Sequence, residues 1–319
     1  MKKLVFILFT LALITSCENE PIDPGLIGQI DDTGGDDDGG DDGGDDGSDS
    51  SDLTMEVYEL DTDISLSFFG FPIRTITNSD INISDNKIQS SDVLIEVEGA
   101  PAETETQVYT RNTEGQITSN ISVNSGGVTT NEYIITYSEG RISQITYDYF
   151  EDDFDDYVYN FTYEGNVITR TEEGSTITTE FTLDGFDRII KKESFDGTFS
   201  IQSEDITYNG AGNINSSIGS GEIDTNNTYN FDDNPNPLQV VYGDNYLLNF
   251  LADDYSDEVG PIIAQFHSTN NWNGATFNGD SFTFDLQYNS VGRIISRDID
   301  YDFGAELMVS IDERFNYQN

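Results

Sequence analysis

Trp272, the chain's one tryptophan, sits in the run Asn270-Asn271-Trp272-Asn273-Gly274, which reads as a polar loop. An indole face beside amide groups can stack on a sugar ring or peptide plane while the amides hydrogen-bond it. Trp272, Asn270, Asn271 and Asn273 are therefore a candidate ligand site, and simple packing of the indole against a sheet is the plainer alternative. Asp152, Asp153, Asp155 and Asp156 form the densest acidic cluster of the folded part. Hard oxygen ligands of this kind suit calcium, the one metal expected here if any is held. Phe154 and the lack of a turn glycine fit a solvated hairpin tip instead. His267 is the one histidine, between Phe266 and Ser268 with no nucleophile motif beside it. It reads as structural, because catalysis by imidazole needs paired groups in defined geometry. With 61 acidic residues, carboxylates meet by chance, so no acid and nucleophile pair stands out. The expectation is a protein that is not an enzyme and needs no organic cofactor.

The remaining chemistry lies at Cys17, the one cysteine. Lys2 and Lys3 precede an apolar run from Leu4 to Ile14, and Thr15-Ser16 lead into the cysteine. A basic start, a short apolar core and small residues before a cut form a secretory signal. The run falls short of the ~20 residues that span a bilayer. Leu13-Ile14-Thr15-Ser16-Cys17 resembles the lipobox of bacterial lipoproteins, with Ile14 departing from the usual leucine. That resemblance implies removal of residues 1–16, lipidation of Cys17, and attachment to a membrane. Two or three acyl chains hold a protein where one binds reversibly. Glu18 stands where an aspartate would retain the protein at the inner membrane. Glu18-Asn19-Glu20 resembles an acidic surface-export signal. Outer-membrane attachment is expected, on the cell surface rather than the periplasmic face.

A formal charge of −48 excludes nucleic acid and anionic lipid as natural partners. A lone cysteine also excludes disulfide partners and thiolate metal sites. Residues 17–52 carry Asp31-Asp32, Asp36-Asp37-Asp38, Asp41-Asp42 and Asp45-Asp46 spaced by glycines. Such a segment cannot bury enough surface to order itself, and its charges repel. It reads as a solvated tether reaching about 30–35 Å or more.

Residues 53–319 read as an all-β domain, divided into N-terminal strands (53–132) and hairpin repeats (133–319). Ile, Val, Phe, Tyr and Thr dominate, and these favour strands. Alternation is clear at Tyr157, Tyr159, Phe161 and Tyr163, at Ile177, Thr179, Phe181 and Leu183, and at Leu307, Val309 and Ile311. Leu183 to Ile189, Tyr208 to Ile214 and Tyr288 to Ile294 align without gaps, and Tyr137 to Ile142 aligns with one residue fewer. Each unit ends a strand on an aromatic or leucine, turns on Asp, Asn or Gly, and opens the next strand with isoleucine. Turns are expected at 138–141, 184–188, 209–213 and 289–293. The predicted architecture is a long antiparallel meander, curving into a half-barrel or open barrel. Its greasy face needs a cover. The apolar segment from Tyr246 to Ala252, followed by Gly260 to Ala264, is the expected plug.

The Tyr-Asn-x-x-Gly-Arg-Ile form is similar to the YD repeats of the Rhs family, although a shell of that kind needs many more repeats. With the loop from Phe231 to Pro237 and Ser268-Thr269-Asn270-Asn271, residues 137–300 resemble a family of Gram-negative lipoproteins. That resemblance implies a porin-like, strongly curved antiparallel sheet and supplies no catalytic residue. A transmembrane barrel is disfavoured, because many alternations set Tyr and Thr against Asp, Glu and Asn rather than against lipid-facing residues. The expected function is a tethered binding or accessory module for a neutral glycan or peptide. The alternative is a structural envelope protein that contacts other proteins and takes no small ligand.

Overall fold

The computed structural model describes residues 54–318 except 69–70, 151–155, 244–245 and 305–306. It is an antiparallel meander of 19 strands in one sheet. β1 (Met55–Phe68), β2 (Phe71–Ser84), β3 (Lys87–Val97), β4 (Glu103–Arg111), β5 (Ile117–Asn124) and β6 (Thr129–Ser138) open it. β7 (Arg141–Tyr149), β8 (Tyr157–Glu164), β9 (Val167–Glu172), β10 (Ile177–Leu183), β11 (Ile189–Asp196), β12 (Phe199–Tyr208), β13 (Ile214–Gly221) and β14 (Thr225–Pro235) continue it. β15 (Asn270–Phe277), β16 (Asp280–Thr283), β17 (Asp285–Tyr288), β18 (Ile294–Asp302) and β19 (Leu307–Tyr317) complete it.

Curvature carries the sheet almost to closure, because β19 pairs with β1 from Leu66↔Leu307 to Met55↔Tyr317. The ladder breaks between β16 and β17, successive halves of one strand line. β16 pairs back to β15 and β17 forward to β18. Phe284 between them bonds its N–H to the Asn273 carbonyl at 3.0 Å. The result is a nearly closed barrel, to which 53–132 and 133–319 both contribute.

The repeat has a physical basis. In each of the connections 112–116, 124–128, 184–188, 209–213 and 289–293, an Asn or Asp opens the turn. Its Oδ1 accepts the N–H groups of the third and fifth residues. The fourth residue takes positive φ: Gly115, Gly127, Asp187, Gly212 and Gly292. At 138–141, Glu139 and Gly140 both have positive φ, as a two-residue turn matched to strand twist demands. The four expected turns are present, and the turns at 112–116 and 124–128 extend the unit into the N-terminal stretch.

A second regularity joins neighbouring hairpins. The isoleucine opening one strand offers its carbonyl to a tyrosine hydroxyl from the end of the next hairpin. The donors are Tyr137 to Ile117 (2.7 Å), and Tyr163 to Ile142, Tyr208 to Ile189 and Tyr317 to Ile294 (2.9 Å each). The arginine before the isoleucine lies over the same ring in three cases: Arg141 on Tyr163, Arg188 on Tyr208 and Arg293 on Tyr317. Tyr and Arg-Ile recur because each hairpin supplies half of a contact that its neighbour completes.

Burial follows strand alternation. Tyr58, Leu60, Thr62 and Ile64 of β1 are buried, whereas Glu59, Asp61 and Asp63 between them are not. On β18 and β19, Asp300, Asp302, Met308, Asp312 and Asn316 face outward. The buried face is the barrel interior.

Candidate functional site

The chain between β14 and β15 packs inside the barrel. It forms α1 (Pro237–Gly243), α2 (Leu248–Leu251) and α3 (Gly260–Ile262), the last running into a π-helical turn at Ile263–His267. Leu238, Val241, Leu247, Leu248, Phe250, Leu251, Val259, Ile262 and Ile263 are buried in the core. This is the plug expected from the leucine-rich stretch. It enters where the prolines after Asn234 end β14, as their missing N–H groups require.

Wall side chains from successive strands hold the plug by its backbone. Tyr157 of β8 reaches the Ala252 carbonyl (3.5 Å), and Arg170 of β9 reaches the carbonyls of Leu251 (3.2 Å) and Asp253. On β11, Lys192 donates to the carbonyls of Asp254 (2.7 Å) and Asp257 (2.8 Å), and Ser194 to that of Tyr255 (2.9 Å). Glu204 of β12 accepts the N–H groups of Val259 (2.5 Å) and Gly260 (3.0 Å). Gly260 is required there, since an added Cβ would lie 2.4 Å from the Tyr229 hydroxyl and 2.5 Å from Ser217 Oγ. On the opposite wall, Gln265 Nε2 donates to Glu313 (3.0 Å), which is ion-paired with fully buried Arg297 and bonded to Tyr58.

Burial shapes the electrostatics of this seat. It pushes the Glu258 carboxyl up to about 8, helped by the neighbouring Glu204 charge, and Asp257 up to about 6, helped by Asp253. Glu204 is raised by the same desolvation, and burial lowers the Lys192 ammonium. Glu258 is 2% exposed, and its Oε1 has no hydrogen-bond partner.

His267 is buried with Nε2 at 3.0 Å from Asn249 Nδ2 and its ring against Tyr246 and Phe250. Desolvation holds its pKa down near 3, so the imidazole is neutral at physiological pH and cannot exchange protons there. Its role in the structure is packing.

The expected Trp272 loop is strand β15, and this placement is a correction. Trp272 is 3% exposed and donates its indole N–H to the Gly274 carbonyl at 2.9 Å. Phe284, Tyr229, Phe277 and the Arg297 guanidinium surround its ring. Asn271 is also buried, Asn270 joins Asn213 (2.8 and 2.9 Å), and the Asn273 carbonyl serves the strand break. Neighbouring amides suggested a loop, but the strand's inward positions are set by pairing with β14 at Phe231↔Trp272. Cys17 lies outside the described residues, as do Asp152, Asp153 and Asp155. Asp156 is exposed and accepts the Tyr149 N–H at 2.7 Å. No group of three or more His, Cys, Asp or Glu suited to a metal occurs among the described residues. Sequence reasoning missed Arg170, Lys192 and Glu204. Their inward positions follow from alternation with Ile168, Ser194 and Ile206 on the same strands, but a charged residue on that face reads as a break in the pattern.

No protein-family model matches the chain, and no curated protein matches it. Among solved structures, it is similar to a porin-like protein from Bacteroides uniformis at 9% identity and a TM-score of 0.45. That match covers 83% of this chain and 98% of the other. A porin-like protein from Bacteroides vulgatus matches at 11% identity and a TM-score of 0.29, over 67% of this chain and 94% of the other.

Proposed function

We propose that this protein is a non-enzymatic, lipid-anchored module that carries a plugged, water-facing barrel on a tether at the outer membrane, binding a neutral glycan or peptide. The observation behind this reading is the barrel's outer face. Asp61, Asp63, Asp298, Asp300 and Asp312 stand there beside Thr, Ser and Asn from the other strands. A lipid-embedded barrel needs an outward apolar band, and charges at the bilayer midplane are strongly destabilising. The barrel itself therefore belongs in water, and membrane attachment falls to lipid at Cys17. Its interior holds a segment bound on several sides, which suits a rigid scaffold rather than a channel.

Metabolic labelling with a palmitate analogue tests the anchor: the wild type takes label and Cys17→Ser does not. Label on the variant would refute lipidation at Cys17. Protease treatment of intact cells tests the face, since digestion in unbroken cells supports surface display and complete protection refutes it.

A further inference from the structure

We propose that the barrel mouth farthest from the tether binds a basic peptide segment, its apolar side chains against Ile73 and Val97 and its cations against Glu103 and Glu105. The inference rests on the binding-module reading above and takes its peptide arm, with the ligand's charge set by the mouth. Thr77, Ser79, Ile81 and Ile83 are the buried positions of β2 and fix its inner face. Thr75 and Ile73 continue that series towards the connection with β1. Register carries the face across β3 and β4 through Thr75↔Val97, Thr77↔Ile95, Ile95↔Glu103 and Val93↔Glu105. At this end the inner face is uncovered: Ile73 is 44% and Val97 39% exposed, Glu103 is exposed, and Ile95 and Glu105 are half-buried. An inward side chain is this exposed only where no other part of the protein lies in front of it. Strand length gives the reason. β1 and β2 run 14 residues each, whereas β9 and β10, on the far side of the ring, run 6 and 7. The long hairpin overtops the wall opposite.

Charge complementarity names the occupant. Nine connections join strands at this end, and their described residues, with the strand ends that bound them, hold ten Asp and Glu and no Lys, Arg or His. The seven turns at the other end, bounded in the same way, hold Lys87, Arg111, Arg141, Arg188 and Arg293. Val57 pairs with Asn82, so Met55 lies beside the turn that follows Ser84, and the chain enters the barrel at the end that holds the cations. The acidic mouth therefore points away from the tether. A rim of one sign concentrates cationic ligands and turns away anionic ones. A polyamine would use the carboxylates and leave Ile73 and Val97 in water, and a neutral sugar would leave the carboxylates unmatched. A segment with basic and apolar side chains in alternation engages both, because Ile95 stands opposite Glu103 on one continuous inner face.

The test is calorimetric titration of the full-length Cys17→Ser protein with an octapeptide of alternating Lys and Leu, in about 0.15 M salt to screen the exposed charges of the tether. Octalysine, an octapeptide of alternating Glu and Leu, and maltohexaose are the comparisons. The expected result is binding of the Lys-Leu peptide alone, weakened roughly tenfold by the double variant Ile73→Ser, Val97→Ser and by Glu103→Lys. Ile218→Ser, at a position 51% exposed on the outer face, should leave binding unchanged. The mouth positions are exposed, so their variants leave the core intact. Lys-Leu binding that both mouth variants leave unchanged, or equal binding of octalysine, is adsorption by charge and overturns this site. Binding of the Glu-Leu peptide overturns the assigned charge. Maltohexaose binding without peptide binding overturns the ligand class but spares the module reading. No binding of any probe overturns the site and the module reading together and favours the envelope-protein alternative.

Discussion

Glu258 sits in an environment far from what a carboxylate prefers. Its folded pKa near 8 stands above the ordinary 4.5, so the folded state holds a proton that the unfolded state has released. Stability must then fall as pH rises from about 4.5 to about 8, with Asp257 adding the same sign between 3.8 and about 6. Glu204, Thr225, Asn227 and Asp257 act on this carboxylate, and none of them is a cation. Glu258→Gln should raise the melting temperature at pH 8 by several degrees, leave it near wild type at pH 4.5, and flatten the slope between. Differential scanning calorimetry across that range checks it, and an unchanged slope would place the proton elsewhere. Trp272 carries the other residue-scale prediction. Enclosed by three aromatic rings and a guanidinium, it should cost about 3–5 kcal/mol when cut to alanine. Urea unfolding measures that, and a loss below about 1 kcal/mol would mean the indole is not part of the core.

Hairpins were legible in the sequence because turn chemistry is local. Asp184, Asn209 and Asn289 announce their turns three residues before a residue of positive φ. The same spacing at Asn112 and Asn124 is visible once the unit is defined by the Asx side chain rather than by the tyrosine that often precedes it. Gly212 and Gly292 separate two causes of cost. Both have positive φ, but an added Cβ at Gly212 would lie 2.8 Å from Thr269 Oγ1, whereas Gly292 opens onto free space. Gly292→Val should lose about 1 kcal/mol from backbone strain alone, and Gly212→Val more. Equal losses in chemical denaturation would contradict the crowding at Gly212. The tyrosine links were not legible, because each donor and acceptor lie on different hairpins and the isoleucine contributes only its backbone. Tyr163→Phe and Tyr317→Phe should each lose about 0.5–1.5 kcal/mol. The two sit on β8 and β19, so the double variant should lose the sum to within about 0.5 kcal/mol. A larger combined loss would show that the links act as one cooperative ring.

At the scale of the molecule, alternation told which residues share a face but not what either face meets. Inward polar residues such as Arg170 and Asn120 could have been the outward face of a soluble sheet. Burial resolves them only once the curve nears closure and a plug occupies the inside. Near-closure itself depends on β1 meeting β19 across more than 240 residues of chain, with pairs such as Thr62↔Ile311 that no local pattern announces. The outcome is a barrel with most of its apolar side chains turned inward and most of its carboxylates outward, the reverse of what a bilayer selects. On β18, β19 and β1, Asp298, Asp312 and Asp61 are register neighbours on the outer surface, and only Arg314 partly offsets them, at 2.5 Å from Asp298. That surface offers lipid tails no continuous apolar band, since Ile295 and Met308 stand among carboxylates there, and it repels anionic headgroups. The Cys17→Ser protein should therefore remain soluble without detergent, fail to pellet with phosphatidylglycerol vesicles at low salt, and produce no conductance in a planar bilayer. Under the proposed lipid anchor, the wild type should pellet with phosphatidylcholine vesicles through its acyl chains and likewise conduct nothing, because the plug packs inside the barrel. Conductance from either form, or vesicle binding by Cys17→Ser, would mean that the barrel wall enters lipid and that burial has been assigned to the wrong side of the sheet.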